Sequence, residues 1–184
     1  SRVTRWLSGR TSVPPSWVRT RWLFLKLVAL SFLAAFASLD AQIAGLIGSE
    51  GVLPAADLLE RADEVFGDDA PTKMPTILHV DSSDGVLFAL PRAGLVAAGA
   101  LLVGFDPPLA LLACFVLYLS LVSVGGAFLT YQWDVLLLEL AAVGMLLAPW
   151  RWLPGIGGEA PPSRIGVFAA RFLLFKLMFL SGWV

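Results

Sequence analysis

The chain has 184 residues, of which 58% are hydrophobic and 15% charged, with a mean hydropathy of +0.80. Soluble domains average roughly 45 to 50% apolar and about 25% charged, so this composition excludes an ordinary soluble domain and points to an integral membrane protein. The 13 basic and 14 acidic residues leave a net charge of −1, and the single cysteine, Cys114, excludes an intramolecular disulfide or a cysteine zinc site.

A membrane-spanning helix needs about 20 mostly apolar residues. Stretches 22–39, 86–105, 109–129, 135–149 and 165–184 meet that need, which predicts an all-α polytopic transmembrane helix bundle of about five spans. Residues 1–21 precede the first span and hold Arg2, Arg5, Arg10, Arg19 and Arg21 without an acidic residue, interleaved with Trp6 and Trp17. Trp22 opens the span, and such residues anchor a segment at the cytoplasmic interface. So short a patch beside a membrane does not suit nucleic acid.

Lys26 sits near the inner end of the first span, and an outer loop is predicted over 40–85. That loop carries Asp40, Glu50, Asp57, Glu60, Asp63, Glu64, Asp68, Asp69, Asp81 and Asp84 against Arg61 and Lys73. Positive residues stay on the cytoplasmic side, so the amino terminus is expected inside and the acidic loop outside. Gly45, Gly48 and Gly51 permit close backbone approach and positive φ, and Pro54 stops local helix. This block therefore reads as a structured cap sealing the outer mouth of the bundle, with recognition as the alternative role.

Next, Leu58, Leu59, Ala62, Val65 and Phe66 repeat at helical spacing opposite Asp57, Glu60, Arg61, Asp63 and Glu64. They predict a short amphipathic helix in the outer loop, lying on the bundle mouth or on headgroups, with partner binding as the sharper alternative. Residues 67–75 read as an exposed loop. His79 lies near Asp81 and Asp84, but one imidazole with two flexible carboxylates reads as a solvated loop histidine, and no metal site is expected.

Pro91 and Arg92 fall near the start of the second span, and Asp106-Pro107-Pro108 separates it from the third. Cys114, inside that third span, reads as a small apolar filler. The fourth span carries Glu139 at membrane depth and Tyr131, Gln132 and Asp134 at its mouth; the fifth adds Arg171 and Lys176. Gln132 and Glu139, seven apart, share a helix face, as do Tyr131 and Asp134, three apart. Together Tyr131, Gln132, Asp134, Glu139, Arg171 and Lys176 form a candidate intramembrane polar cluster. The favoured reading is a Glu139–Lys176 ion pair that fixes helix packing; the alternative is a pocket for a substrate, proton or lipid headgroup.

No catalytic residue and no cofactor is indicated. Ser49, Ser120 and Ser181 have no histidine at a triad spacing. Residues 155–158 lack the lysine of a phosphate loop and read as a flexible turn, in a loop over 150–164 that returns to the inside with Arg151 and Arg164.

Three blocks in order, QIAGLIGSEGVLPA at 42–55, FLTYQWDVLLLE at 128–139 and RFLLFKLMFLSG at 171–182, resemble the corresponding blocks of the lipase maturation factor family. The resemblance covers about residues 17–184. The glycine block is also similar to one in the membrane domain of vitamin K-dependent carboxylases and their bacterial relatives. The resemblance implies a multi-span membrane protein whose animal members sit in the endoplasmic reticulum and assist folding and assembly of secreted lipases. It also implies a further non-cytoplasmic region associated with lipase binding, and with a first residue Ser and a fifth span still apolar at Val184 the chain is expected to be incomplete. Lys176 stands where the family pattern implies arginine, a change that keeps charge and loses bidentate geometry.

Three classes of function follow. The leading one is a non-enzymatic assembly or maturation factor whose partners are membrane lipids and a secreted or membrane client. The others are an accessory structural subunit of a larger bacterial membrane complex, and a membrane enzyme or transporter using a polar pocket around Glu139. High Ala, Leu and Gly content with ten arginines against three lysines suits a bacterial cytoplasmic membrane.

Overall fold

The computed structural model describes residues 17–150 and 161–182; Trp6, Arg151, the glycine turn at 155–158 and most of the segment 1–21 lie outside them. Among the described residues the chain is all-helical, with no strand. The helices are α1 (Val18–Ile47), α2 (Ala55–Phe66), the short α3 (Ala70–Lys73), α4 (Asp84–Val103), α5 (Pro107–Val124), α6 (Gln132–Leu147) and α7 (Arg164–Ser181). Single 3-10 turns at Gly67–Asp69, Ile77–His79 and Gly126–Phe128 complete the path.

Helix α1 has 30 residues, about 45 Å at 1.5 Å per residue, against a hydrocarbon thickness of about 30 Å. It runs on through Asp40, Gln42 and Gly45, so the first eight residues predicted as outer loop are helix. Nothing in 40–47 breaks a helix: there is no proline, and a lone glycine costs only about 1 kcal/mol. Helices α1, α4 and α5 are long and apolar enough to cross a membrane. With 16 residues α6 is short for a span, and α7 carries Arg164, Arg171 and Lys176.

The core lies between α1, α4, α5 and α6. Phe32 and Phe36 of α1 are fully buried, their rings 5.8 Å apart, and the Tyr118 ring of α5 meets both edge-on at 5.8 and 5.5 Å. Helix α4 comes close because residue 94 is glycine; a Cβ there would lie 2.4 Å from the Phe36 ring. Cys114 is fully buried in the same core. Pro107 and Pro108 occupy the first turn of α5, where no backbone N–H is missed. Helix α7 packs mainly on α6 and holds its place through a tight start. Ser163 Oγ donates to the Leu146 carbonyl at 2.9 Å and accepts from Gly166 N at 3.0 Å, and a Cβ on Gly166 would sit 2.8 Å from that carbonyl oxygen.

Residues 48–83 cover one end of the bundle. Leu78 is buried in the core, the Ile77 amide donates to Ser120 Oγ at 3.2 Å, and Ser123 Oγ donates to the Pro75 carbonyl at 2.9 Å. The stretch predicted as an exposed loop over 67–75 is thus mostly a 3-10 turn and a helical turn, with Ala70 fully buried. Helix α2 is amphipathic, but only part of the predicted face is covered: Ala55, Leu59 and Ala62 are buried, whereas Val65 and Phe66 are 73% and 44% exposed. Its last turn runs past the bundle it rests on.

Candidate functional site

The glycine block is a helix cap. After α1 ends, the chain folds back so that Val52 N donates to the Gly45 carbonyl at 3.1 Å and Leu53 N to the Leu46 carbonyl at 2.9 Å. Carbonyls that a helix terminus leaves without partners are thereby satisfied. Gly48 and Gly51 serve this fold by lacking a side chain: a Cβ would lie 2.6 Å from the Ala44 oxygen at Gly48 and 2.9 Å from Gly48 backbone atoms at Gly51. Neither has the positive φ anticipated from sequence; among the described glycines that conformation belongs to Gly67, Gly104 and Gly126. Gly45 is an ordinary helix residue with open space at its Cβ. Pro54, rather than stopping α1, precedes the first residue of α2.

The cap is pinned to α4. Ser49 donates to the two carboxylate oxygens of Asp84, from its amide at 3.0 Å and its hydroxyl at 2.5 Å. Eight residues beyond Asp84 in α4, and nine before Ser49 in α1, Arg92 Nε donates to Asp40 Oδ1 at 3.0 Å. The near-equal residue counts on the two antiparallel helices bring these side chains to one depth, about 12 Å below the pin. Just before α4, the Ser83 amide donates to Asp81 Oδ1 at 2.9 Å and holds that carboxyl below its ordinary value. His79 Nε2 lies 2.9 Å from the Met74 carbonyl, inside the same segment.

Helix α6 presents its polar residues on two sides. Gln132 and Glu139 face α7, where Lys176 Nζ donates to Glu139 Oε1, and all three line a cavity of about 210 Å³ with Val135, Leu136 and Leu173. Tyr131 and Asp134 face α1 and α5. There Asp134 is 3% exposed, the Tyr118 hydroxyl donates to its Oδ1 at 2.6 Å, and both residues line a second cavity of about 270 Å³. Arg171 belongs to neither group: its guanidinium lies over the Trp17 ring, 5.9 Å from the centroid, at the end of the bundle away from the cap. The six residues of the sequence-predicted cluster therefore occupy three places.

Sequence reasoning missed Tyr118, Asp40–Arg92 and Ser49–Asp84. Tyr118 carried a signal, since it is one of two tyrosines and stands in a span without a charged residue, where a buried phenol usually finds a partner. Lys26, noted only for its position, donates to the Leu102 carbonyl at the end of α4.

Residues 19–184 match the model of the lipase maturation factor transmembrane domain. The chain belongs to the lipase maturation factor family. It is 38% identical to lipase maturation factor 2 of Rattus norvegicus over 181 residues, covering 88% of this chain and 25% of that protein. The human lipase maturation factor 2 is likewise 38% identical, over 89% of this chain and 25% of its own length. Human lipase maturation factor 1 is 33% identical, over 90% and 30%. The chain thus spans about a quarter of the factor 2 relatives it matches. No solved structure matches it. Membership in a family defined by a transmembrane domain, with three of the described helices able to cross a bilayer, establishes an integral membrane protein.

Proposed function

We propose that this chain is the membrane-embedded part of a non-enzymatic maturation factor that assists the folding or assembly of secreted lipases. The observation that carries the reading is the match of residues 19–184 to the family's transmembrane domain. The bundle crosses the membrane five times, α6 and α7 completing the three longer spans. Residues 1–21 lie in the cytoplasm and the cap at 48–83 outside, in keeping with the arginines of the first segment and the acidic residues of the second. Arginine outnumbers lysine ten to three, which supports a bacterial cytoplasmic membrane. The face offered to a client is the cap, where Val65 and Phe66 of α2 stand exposed among acidic side chains.

The test is depletion of the protein in its host, followed by the specific activity of each secreted lipase per mass of enzyme. A fall of tenfold or more with unchanged transcript supports the role; unchanged specific activity sinks it. A second reading has an observation of its own. Phe168, Phe172, Phe175 and Phe179 form a ladder along α7 with ring centroids 5.7 to 6.5 Å apart, all more than half exposed, which suits a permanent subunit of a larger membrane complex. Mild-detergent purification followed by mass spectrometry discriminates: integral membrane partners at fixed ratio favour the subunit, and a loosely held hydrolase favours the maturation factor.

A further inference from the structure

Asp134 has one satisfied oxygen and one orphan. Oδ1 accepts from Tyr118 at 2.6 Å, while Oδ2 is buried without a hydrogen-bond partner among the described residues. The residue sits in the first turn of α6, where the positive end of the helix dipole attracts a negative group. A buried carboxylate with an unmatched oxygen is costly, and such a group calls for a donor or a counter-charge. Glu139 and Asp40 have theirs in Lys176 and Arg92. Among the described residues no lysine or arginine lines the cavity beside Asp134.

That cavity, about 270 Å³, has a mixed wall. Ser38 and Gln42 of α1, bonded to each other at 3.0 Å, add polar atoms to those of Asp134 and Tyr131, and Leu46 and Leu129 supply apolar surface. Tyr131 and Trp133, both lining residues, have rings stacked 4.6 Å apart and are 50% and 65% exposed. Their place is the capped end of the bundle, and paired exposed aromatics at a bundle end mark the headgroup level of a membrane.

We propose that this cavity binds a primary ammonium group, supplied by the ethanolamine headgroup of a phospholipid. An ammonium brings both of the missing elements, a positive charge and N–H donors for the Asp134 carboxylate, which lines the cavity. A quaternary choline headgroup has the charge and no N–H, so the site discriminates between the two commonest zwitterionic lipids. The apolar and aromatic rim accommodates the glycerol and acyl portion.

The experiment is native mass spectrometry of the purified full-length protein from mixed micelles holding equal phosphatidylethanolamine and phosphatidylcholine, with thermal unfolding as a second readout. The wild type retains one phosphatidylethanolamine at least tenfold over phosphatidylcholine, and its Tm is higher in the former. Asp134→Asn abolishes both preferences. Should that variant fail to fold, Gln42→Leu on the cavity wall reduces the retention. Equal retention of the two lipids overturns the proposal, as does a preference that survives in folded D134N or, where D134N does not fold, in Q42L. Free ethanolamine at millimolar concentration identifies the source: a Tm rise equal to that given by the lipid assigns the site to a small amine and overturns the lipid assignment.

Discussion

Asp134 and Glu139 stand five residues apart on one short helix and live in different surroundings. Asp134 faces α1 and α5, where the packed core gives way to the cavity of about 270 Å³, is 3% exposed and meets only a neutral hydroxyl. Glu139 looks toward the looser α7 side, its side chain 32% exposed, and has Lys176 for a partner. The difference teaches that a carboxylate's role in a helix bundle depends on which neighbour it faces. A charge between two helices neutralises itself; one pressed into a core is left with a demand that the chain does not meet.

The largest effect comes from attacking the packed side directly. Gly94→Leu places a side chain where a Cβ alone would already lie 2.4 Å from the Phe36 ring, and overpacking of this kind costs about 3 kcal/mol. Thermal unfolding in detergent measures it, with Phe172→Ala on the outward face of α7 as the counterpart, expected within about 0.5 kcal/mol of wild type. If both variants melt alike, the contrast between the two sides is wrong.

Tyr118→Phe is next. It strips Asp134 of its one donor and is expected to cost about 1 to 3 kcal/mol, the penalty for a buried polar group left unmatched. A melting temperature equal to wild type would mean that the hydrogen bond carries no stability. Smaller still is Glu139→Gln, at about 1 kcal/mol, the usual range for a polar pair between membrane helices. Replacing both partners, as Glu139→Leu with Lys176→Met, should recover most of that loss, because a removed pair leaves no charge stranded. A double variant less stable than the single one would give the pair a value of its own.

The smallest effect concerns the cap. Asp81 has a lowered carboxyl value in the folded protein because the Ser83 amide donates to it. Its contribution is therefore present above the unfolded value of 3.8 and lost as pH falls through the lower folded one. Hydrogen exchange at the Ser83 amide should quicken, beyond the intrinsic pH trend, below that point and not in Asp81→Asn; identical profiles would exclude the coupling.

Much of the fold was legible from sequence because long apolar runs leave few alternatives. All five long helices begin and end within a few residues of the predicted stretches except α1, whose eight extra residues carry polar side chains that hydropathy reads as loop and backbone geometry accepts as helix. The facing of Gln132 with Glu139, and of Tyr131 with Asp134, follows from helical period alone. Period does not say what each face meets, so the single cluster expected around Glu139 resolves into three places. The amphipathic helix was likewise legible as an element, and its buried face was not: Val65 and Phe66 repeat correctly but lie beyond the support beneath α2.

Class, helices and family could be read from the order of residues alone, since each rests on local composition and on residues adjacent in the chain. That Tyr118 serves Asp134, that Arg92 meets Asp40 and that Gly94 admits Phe36 came from the packing of the helices. These pairs are 16, 52 and 58 residues apart in the chain. Their meeting depends on the rotation and depth of whole helices, and many side chains together set those quantities.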